Sequence, residues 1–157
     1  MKNKDIIALA NCGVLSITAH DIPAAHAYKV LKFKRAVKAS MAAFQDAERA
    51  IFHDCGVSDV AGFNARLNEL REKQRSEDEN AELHSMEKKI QEIQGLQNEL
   101  REEDITLAGV KTMPYDVWHD LQNENKSVEI SGKTIDVLSG DVEEILEGVL
   151  WDSPEEE

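Results

Sequence analysis

Histidine and cysteine side chains occur at two places where metal binding or nucleophilic catalysis could arise. His20, Asp21 and His26 lie around the start of a predicted helix. His53 stands two residues before Cys55 at the predicted end of the same helix. A metal site needs three or four ligands that converge from fixed elements, and residues two apart do not share a helix face. We therefore expect ordinary helix-end residues here, with no metal and no cofactor.

The two cysteines, Cys12 and Cys55, each precede a glycine near the predicted end of a helix. Their spacing fits neither a disulfide framework nor a zinc site, so we expect free thiols in a reducing compartment. Nothing beside either cysteine predicts an activated thiolate, and the chain has no glycine-rich loop that could hold a phosphate. The sequence therefore predicts a protein that is not an enzyme.

Two tryptophans are the other residues whose type attracts a functional interpretation. Trp118 and Trp151 both lie on apolar faces near the C-terminus. Tryptophan anchors hydrophobic cores, and it is also enriched at the energetic centres of protein interfaces. Core anchoring is the simpler interpretation, and partner binding is the alternative.

The element that must position these groups is a long amphipathic helix predicted over Pro23–Cys55. Apolar residues recur along it at every seventh position, namely Val30, Val37, Phe44 and Ile51. Such positions share one helix face, and Phe33 lies on the same face. We expect the last three of these seven-spaced residues to be buried. Gly56 is expected to close the helix in a left-handed conformation.

Basic side chains are concentrated on the first half of this helix, at Lys29, Lys32, Lys34, Arg35 and Lys38. A solvated face is the simpler interpretation of this pattern. The alternative is a docking site for an acidic partner or for the acidic C-terminal tail of the chain itself.

Two further helices are predicted downstream. Ser58 or Asp59 would cap the first, which runs to about Gln74. The apolar spacing of this helix does not continue in phase into the next one, which indicates a discontinuity. A turn near Ser76–Asn80 explains the slip, because the sequence SEDE is typical of a capping box that starts a new helix.

The character of the sequence changes after the third long helix. Residues 105–111 predict a short strand or an extended segment, and Pro114 opens a short helix. Residues 127–137 alternate apolar and polar side chains, which indicates a hairpin. Asp141 is expected to cap a last helix.

Composition and charge exclude several classes of partner. The chain has 157 residues and a net charge of −13, which argues against nucleic-acid binding and against an anionic membrane surface. Residues 1–57 carry a net charge of +3 and residues 104–157 carry −11. This gradient could favour head-to-tail self-association or contact between tail and head. The apolar run at the N-terminus is too short for a bilayer, so a cytoplasmic location is expected.

Three segments of the chain resemble a known family. They are KNKDIIALAN at residues 2–11, KVLKFKRAV at 29–37 and ELREEDITL at 99–107. They are similar to a family of small tailed-phage and prophage proteins of uncharacterised function. The resemblance implies a short N-terminal helix, a long helical hairpin, a short extended segment and a small C-terminal α/β piece. It implies a phage-encoded structural or assembly accessory, and no activity.

These patterns predict a mostly α fold. The expected architecture is a long antiparallel helical hairpin or three-helix bundle over residues 1–103, with a small acidic α/β cap over residues 104–157 packed on it. The predicted function is a non-enzymatic interaction or structural protein, such as a phage or prophage virion or assembly accessory, located in the cytoplasm or with the virion. The alternative is an acidic inhibitor or DNA mimic that binds a basic partner.

Self-association is the most specific hypothesis for how the long helix acts. The next helix is too short to cover all of it, so residues 24–37 would keep an exposed apolar strip, which soluble monomers rarely have. A homodimer would cover this strip, and a third helix folded back onto it would do the same. The predicted partner-binding residues are therefore Val30, Phe33, Val37, Trp118 and Trp151.

Overall fold

The computed structural model describes residues 1–11, 13–16, 24–124, 127–130, 133–136 and 144–152 of the chain. It is mostly helical, as the sequence predicts. The elements, in chain order, are α1 (Asn3–Asn11), a 3-10 turn (Gly13–Ser16), α2 (Ala24–Asp54), α3 (Val60–Glu72), α4 (Glu77–Glu102), α5 (Tyr115–Glu124), β1 (Ser127–Ile130) and β2 (Lys133–Asp136).

Helix α2 is continuous over 31 residues. It contains neither glycine nor proline and is rich in alanine, the residue with the highest helix propensity. Its bounds agree with the predicted helix to within one residue at each end. The prediction that its seven-spaced residues are buried is confirmed for Val37 and Phe44, whereas Ile51 is half-buried.

The chain forms two compact units. Unit 1 combines Met1–Ala43 with Asp104–Glu157, and unit 2 is the continuous stretch Phe44–Glu103. This division differs from the predicted one, which assigned residues 1–103 to one helical region. Only the boundary between residues 103 and 104 is shared. The difference arises because the first part of α2 packs with the C-terminal segment of the chain.

Unit 1 is built around an aliphatic core. Its members come from α1, from the first half of α2, from the segment after α4 and from the last described residues. They are Ile6, Leu9, Val30, Phe33, Val37, Leu107, Met113, Leu146, Leu150 and Trp151, none more than 9% exposed. Removing this much apolar surface from water is the main force that joins segments so distant in sequence.

Backbone hydrogen bonds join the segment after α4 to both ends of unit 1. The Ile105 N–H donates to the Met1 carbonyl at 2.9 Å, and the Met113 N–H donates to the Leu150 carbonyl at 2.9 Å. The predicted strand at 105–111 is an extended segment interrupted by a turn, in which Gly109 has a φ of 72°. A glycine meets that backbone angle without the strain a side chain would add.

The predicted short helix and hairpin near the C-terminus are both present. Helix α5 begins directly after Pro114. Strands β1 and β2 pair antiparallel, with Ser127 opposite Asp136. Residues 144–146 form a helical turn, whereas the expected cap Asp141 lies outside the described residues.

Unit 2 begins with the last turns of α2, which close as predicted. The Gly56 N–H donates to the His53 carbonyl at 2.9 Å, and the Val57 N–H donates to the Phe52 carbonyl at 2.8 Å. Gly56 has a φ of 79°, the left-handed conformation that glycine adopts readily. These two bonds form a Schellman motif, which satisfies carbonyls that the helix end would otherwise leave without partners.

Side-chain caps start both remaining helices of unit 2. The Asp59 carboxylate accepts a hydrogen bond from the Gly62 N–H at 3.0 Å at the start of α3. Ser76 and Glu79 form a reciprocal capping box at the start of α4. The predicted break between two helices is present, but it lies at residues 73–76, earlier than the predicted turn near Ser76–Asn80. Helices α3 and α4 contact each other within the unit.

Candidate functional site

Most of the predicted partner-binding residues are buried inside unit 1. Phe33 and Val37 are 0% exposed, and Val30 and Trp151 are 1% exposed. The expectation of an uncovered apolar strip on α2 is therefore wrong, because the unit 1 core covers it. The Trp118 side chain lies outside the described residues. A surface site must be sought elsewhere on the chain.

The histidine and cysteine groups do not come together as a catalytic site within the described residues. The His53 side chain is 80% exposed, with its Nδ1 atom 3.6 Å from the Asp54 carboxylate. His20, Asp21 and Cys12 lie outside the described part of the chain. Among the described residues, no three histidine, cysteine or acidic side chains are placed to hold a metal ion.

Cys55 is a free thiol with partial exposure. Partial desolvation raises its pKa, and the nearby Glu92 and Asp54 carboxylates raise it further, while Lys89 acts in the opposite direction. A raised pKa favours the neutral thiol, which is the less nucleophilic form. This environment is the reverse of the one that activates a catalytic cysteine.

Open clefts occur among the described residues of both units. The cleft of unit 1 has a volume of about 310 Å³ and is lined by no acidic, basic, histidine or cysteine side chain. The groove of unit 2 has a volume of about 420 Å³ and lies beside the end of α2, against Phe52, Val57 and Val60. The groove is also lined by Glu48, His53 and Ser58, but no hydrogen bond joins these three described side chains to one another. Neither cleft therefore shows the coupled acid, base and nucleophile that a hydrolytic mechanism requires.

The feature that stands out is the face of α2 opposite the unit 1 core. Residues at spacings of three, four and seven share a helix face. We call this face the basic strip, and it consists of Tyr28, Leu31, Lys32, Arg35 and Lys38. Four of these residues are exposed, whereas Lys32 is half-buried. The Tyr28 side chain is 63% exposed and Leu31 is 38% exposed, which makes them two of the most exposed large apolar side chains described.

An aromatic contact orders one end of the basic strip. The Lys32 ammonium lies over the Tyr28 ring, 4.9 Å from its centroid. A cation at this distance is attracted by the electron-rich face of the ring. The contact holds an exposed aromatic ring and a positive charge beside each other, one helical turn apart.

The charge of this part of α2 is not compensated along the helix. Residues 24–45 contain five lysine and arginine residues and no aspartate or glutamate. Lys29 is used internally, since its ammonium donates to the Thr112 carbonyl at 2.8 Å. Arg35 and Lys38 make no hydrogen bond or ion pair with any described residue, so their charges face solvent.

Two basic residues of unit 2, Arg66 and Lys73, are arranged in the opposite way. Arg66 donates two hydrogen bonds to Glu82, at 2.9 and 2.7 Å, and a third to Glu69. Lys73 pairs with Glu69 and with Glu79. The Arg66 hydrogen bond holds the pKa of Glu82 below its ordinary value. These cations therefore stabilise the pair α3–α4 and are not available to a partner.

The sequence showed the charge of the basic strip but missed its apolar component. The five basic residues were visible as a cluster, and docking of an acidic partner was one interpretation of them. The seven-residue spacing marks only the buried face of α2, so it gives no signal for the exposure of Tyr28 and Leu31. The signal that could have found them is their position half a turn away from Val30 and Phe33.

Comparison with family models, with curated proteins and with solved structures finds no match to this chain. Among the described helices, none combines the length and the apolar composition needed to cross a membrane. The function must therefore be argued from the residues themselves.

Proposed function

We propose that this chain is a non-enzymatic interaction protein that acts by binding another protein. In this proposal it serves as a phage or prophage accessory of virion structure or assembly, in the cytoplasm or on the virion, as the resemblance of three sequence segments implies. We also propose the finer architecture: an antiparallel helical hairpin or three-helix bundle joined to a small acidic α/β segment.

The observation that supports this proposal is the basic strip. Tyrosine and arginine are enriched at protein interfaces, and the strip presents Tyr28 and Arg35, both exposed, on one face of α2. The unit 1 core lies on the other side of α2, and none of the strip residues belongs to it. A binding surface would explain why large apolar side chains are exposed here, which solvation of the charged residues does not explain.

The test is capture of a partner by the intact protein. The tagged chain is cross-linked in the cells that produce it naturally, and captured proteins are identified by mass spectrometry. The same experiment is run with the double variant Arg35→Glu/Lys38→Glu. We expect one protein to be enriched by the wild type and at least tenfold less by the variant, and purified components to reproduce the difference.

A matched control separates a specific surface from net charge. Lys88 and Arg101 are exposed basic residues on α4 that make no ion pair with described residues. The double variant Lys88→Glu/Arg101→Glu changes the net charge by the same amount and should leave capture unchanged. Equal loss in both variants would contradict the proposal. A partner that is basic, and that binds both variants more tightly than the wild type, would identify the acidic inhibitor as the correct alternative.

A further inference from the structure

We propose that the basic strip binds an acidic segment of a partner protein, one that carries an aliphatic or aromatic side chain next to carboxylates. This inference rests on the proposed function and names the chemistry of the partner. The strip offers two kinds of contact in one line, apolar at Tyr28 and Leu31, and cationic at Lys32, Arg35 and Lys38.

The dimensions of the strip set the size of the bound segment. From Tyr28 to Lys38 the helix rises about 15 Å, at about 1.5 Å for each residue. An extended peptide of about five residues covers this distance, since each adds about 3.3 Å. The partner therefore needs its apolar side chain at one end of such a stretch and its carboxylates toward the other.

Charge complementarity is the argument for carboxylates. Arg35 and Lys38 lie one turn apart on a helix whose residues 24–45 include no acidic side chain. A carboxylate placed between them would form charge-assisted hydrogen bonds, which are stronger than neutral ones. At physiological salt the screening length is about 8 Å, so this local positive charge dominates at contact over the net charge of −13.

A nucleic acid is the rival occupant, because bases stack on exposed tyrosine rings and phosphates attract lysine. The strip presents only three cations, and a continuous phosphate backbone would extend beyond them along a chain of net charge −13. A protein segment can confine its negative charge to the strip. The observations therefore favour a protein partner.

The direct test uses synthetic peptides and the full chain. The probe is a fluorescein-labelled twelve-residue peptide with alternating pairs of glutamate and leucine, titrated by fluorescence anisotropy at 0.15 M salt. The comparison probes replace every glutamate with glutamine, or every leucine with serine. We expect the parent peptide to bind at least tenfold more tightly than the glutamine peptide and severalfold more tightly than the serine peptide.

Variants assign the binding to the strip. Arg35→Glu/Lys38→Glu should weaken binding of the parent peptide at least tenfold, and Tyr28→Ala should weaken it severalfold. Lys88→Glu/Arg101→Glu should leave it within twofold of the wild type. All three change exposed side chains, and circular dichroism verifies that helical content is retained.

Three outcomes would overturn the inference. The first is equal affinity for the glutamate and glutamine peptides. The second is tighter binding of a labelled twenty-nucleotide single strand than of the parent peptide. The third is a gain of more than threefold in peptide affinity when Glu155, Glu156 and Glu157 are changed to glutamine, because the chain's own carboxylates would then be the occupant. Loss of cellular capture in the strip variant without peptide binding would leave the proposed function standing and reject only the acidic partner.

Discussion

Unit 1 takes its core from both ends of the chain, whereas unit 2 is formed by one continuous stretch of sequence. The buried residues of unit 1 come from segments as far apart as Ile6 and Trp151, and several of them are completely inaccessible to solvent. In the described part of unit 2 the buried apolar residues are fewer, namely Phe44, Val57, Leu67, Leu70 and Ile93. Unit 2 also contains side-chain caps at the starts of α3 and α4, and a surface ion pair between these two helices.

The two units depend on different kinds of interaction for their stability. Unit 1 depends on apolar burial between distant segments, which carries a large favourable free energy and a large loop-closure cost. Unit 2 depends more on local contacts, each worth about 1 kcal/mol or less at an exposed site. Substitutions should therefore have large effects in the first unit and graded effects in the second.

The largest effect is expected for Phe33→Ala in the core of unit 1. Truncation of a fully buried phenylalanine should lower the free energy of unfolding by about 3–5 kcal/mol, from lost burial and the cavity left behind. Urea denaturation measures the change. Hydrogen exchange should show that the loss of protection is concentrated in residues 1–43 and 104–152.

The control for this substitution lies five residues earlier on the same helix. Tyr28 is exposed, so Tyr28→Ala should change the stability by less than about 1 kcal/mol, most of it from the contact with Lys32. Similar effects of the two substitutions would mean that the faces of α2 have been assigned incorrectly, and the basic strip would lose its basis.

The structure of unit 2 could be predicted from the sequence better than the core of unit 1. The features of unit 2 obey local rules: Gly56 closes a helix, Ser76 and Glu79 form a capping box, and the slipped apolar spacing marks a break. Each depends on residues within one or two turns of one another, so a short stretch of sequence carries the whole signal. All three features are present, although the break lies earlier than the predicted turn.

The segments that form the core of unit 1 could not be predicted by the same local rules. The seven-residue spacing on α2 shows that Val30 and Phe33 need a cover, but it does not show which segment supplies it. That cover includes Met113 and Trp151, which are about eighty or more positions away and carry no pattern that matches α2. The sequence therefore predicts an exposed strip at Val30 and Phe33, whereas the exposed apolar residues of this half of α2 are Tyr28 and Leu31.

A smaller effect is expected for Ser76→Ala, which removes the cap of α4. The Ser76 hydroxyl accepts a hydrogen bond from the Glu79 N–H, and its loss should cost about 1 kcal/mol. Ser85→Ala is the matched control. Ser85 is exposed in the middle of α4, where alanine is the better helix former, so this change should be neutral or slightly stabilising. Equal losses in urea denaturation would show that the capping box does not stabilise the helix.

The smallest effect concerns pH and the ion pair between Arg66 and Glu82. The hydrogen bond from Arg66 is the main reason that the pKa of Glu82 lies below its ordinary value of 4.5. A carboxylate with a lowered pKa in the folded state stabilises the fold above its ordinary pKa, and this contribution is lost as the pH falls through the folded-state value. The Glu82 side chain is 41% exposed, so solvent screening keeps the contribution small.

Glu82→Gln tests this term because it removes the titrating carboxylate and keeps the shape of the side chain. The thermal midpoint of the wild type should exceed that of the variant at pH 7, and the difference should close as the pH falls well below 4.5. Glu99→Gln is the control, since Glu99 is exposed on α4 and pairs with no described residue. A difference for Glu82→Gln that stays constant from neutral to acid pH would show that packing, and not charge, accounts for its effect. Unit 2 would then resemble unit 1 in what stabilises it, and the contrast between the two units would fail at the ion pair between α3 and α4.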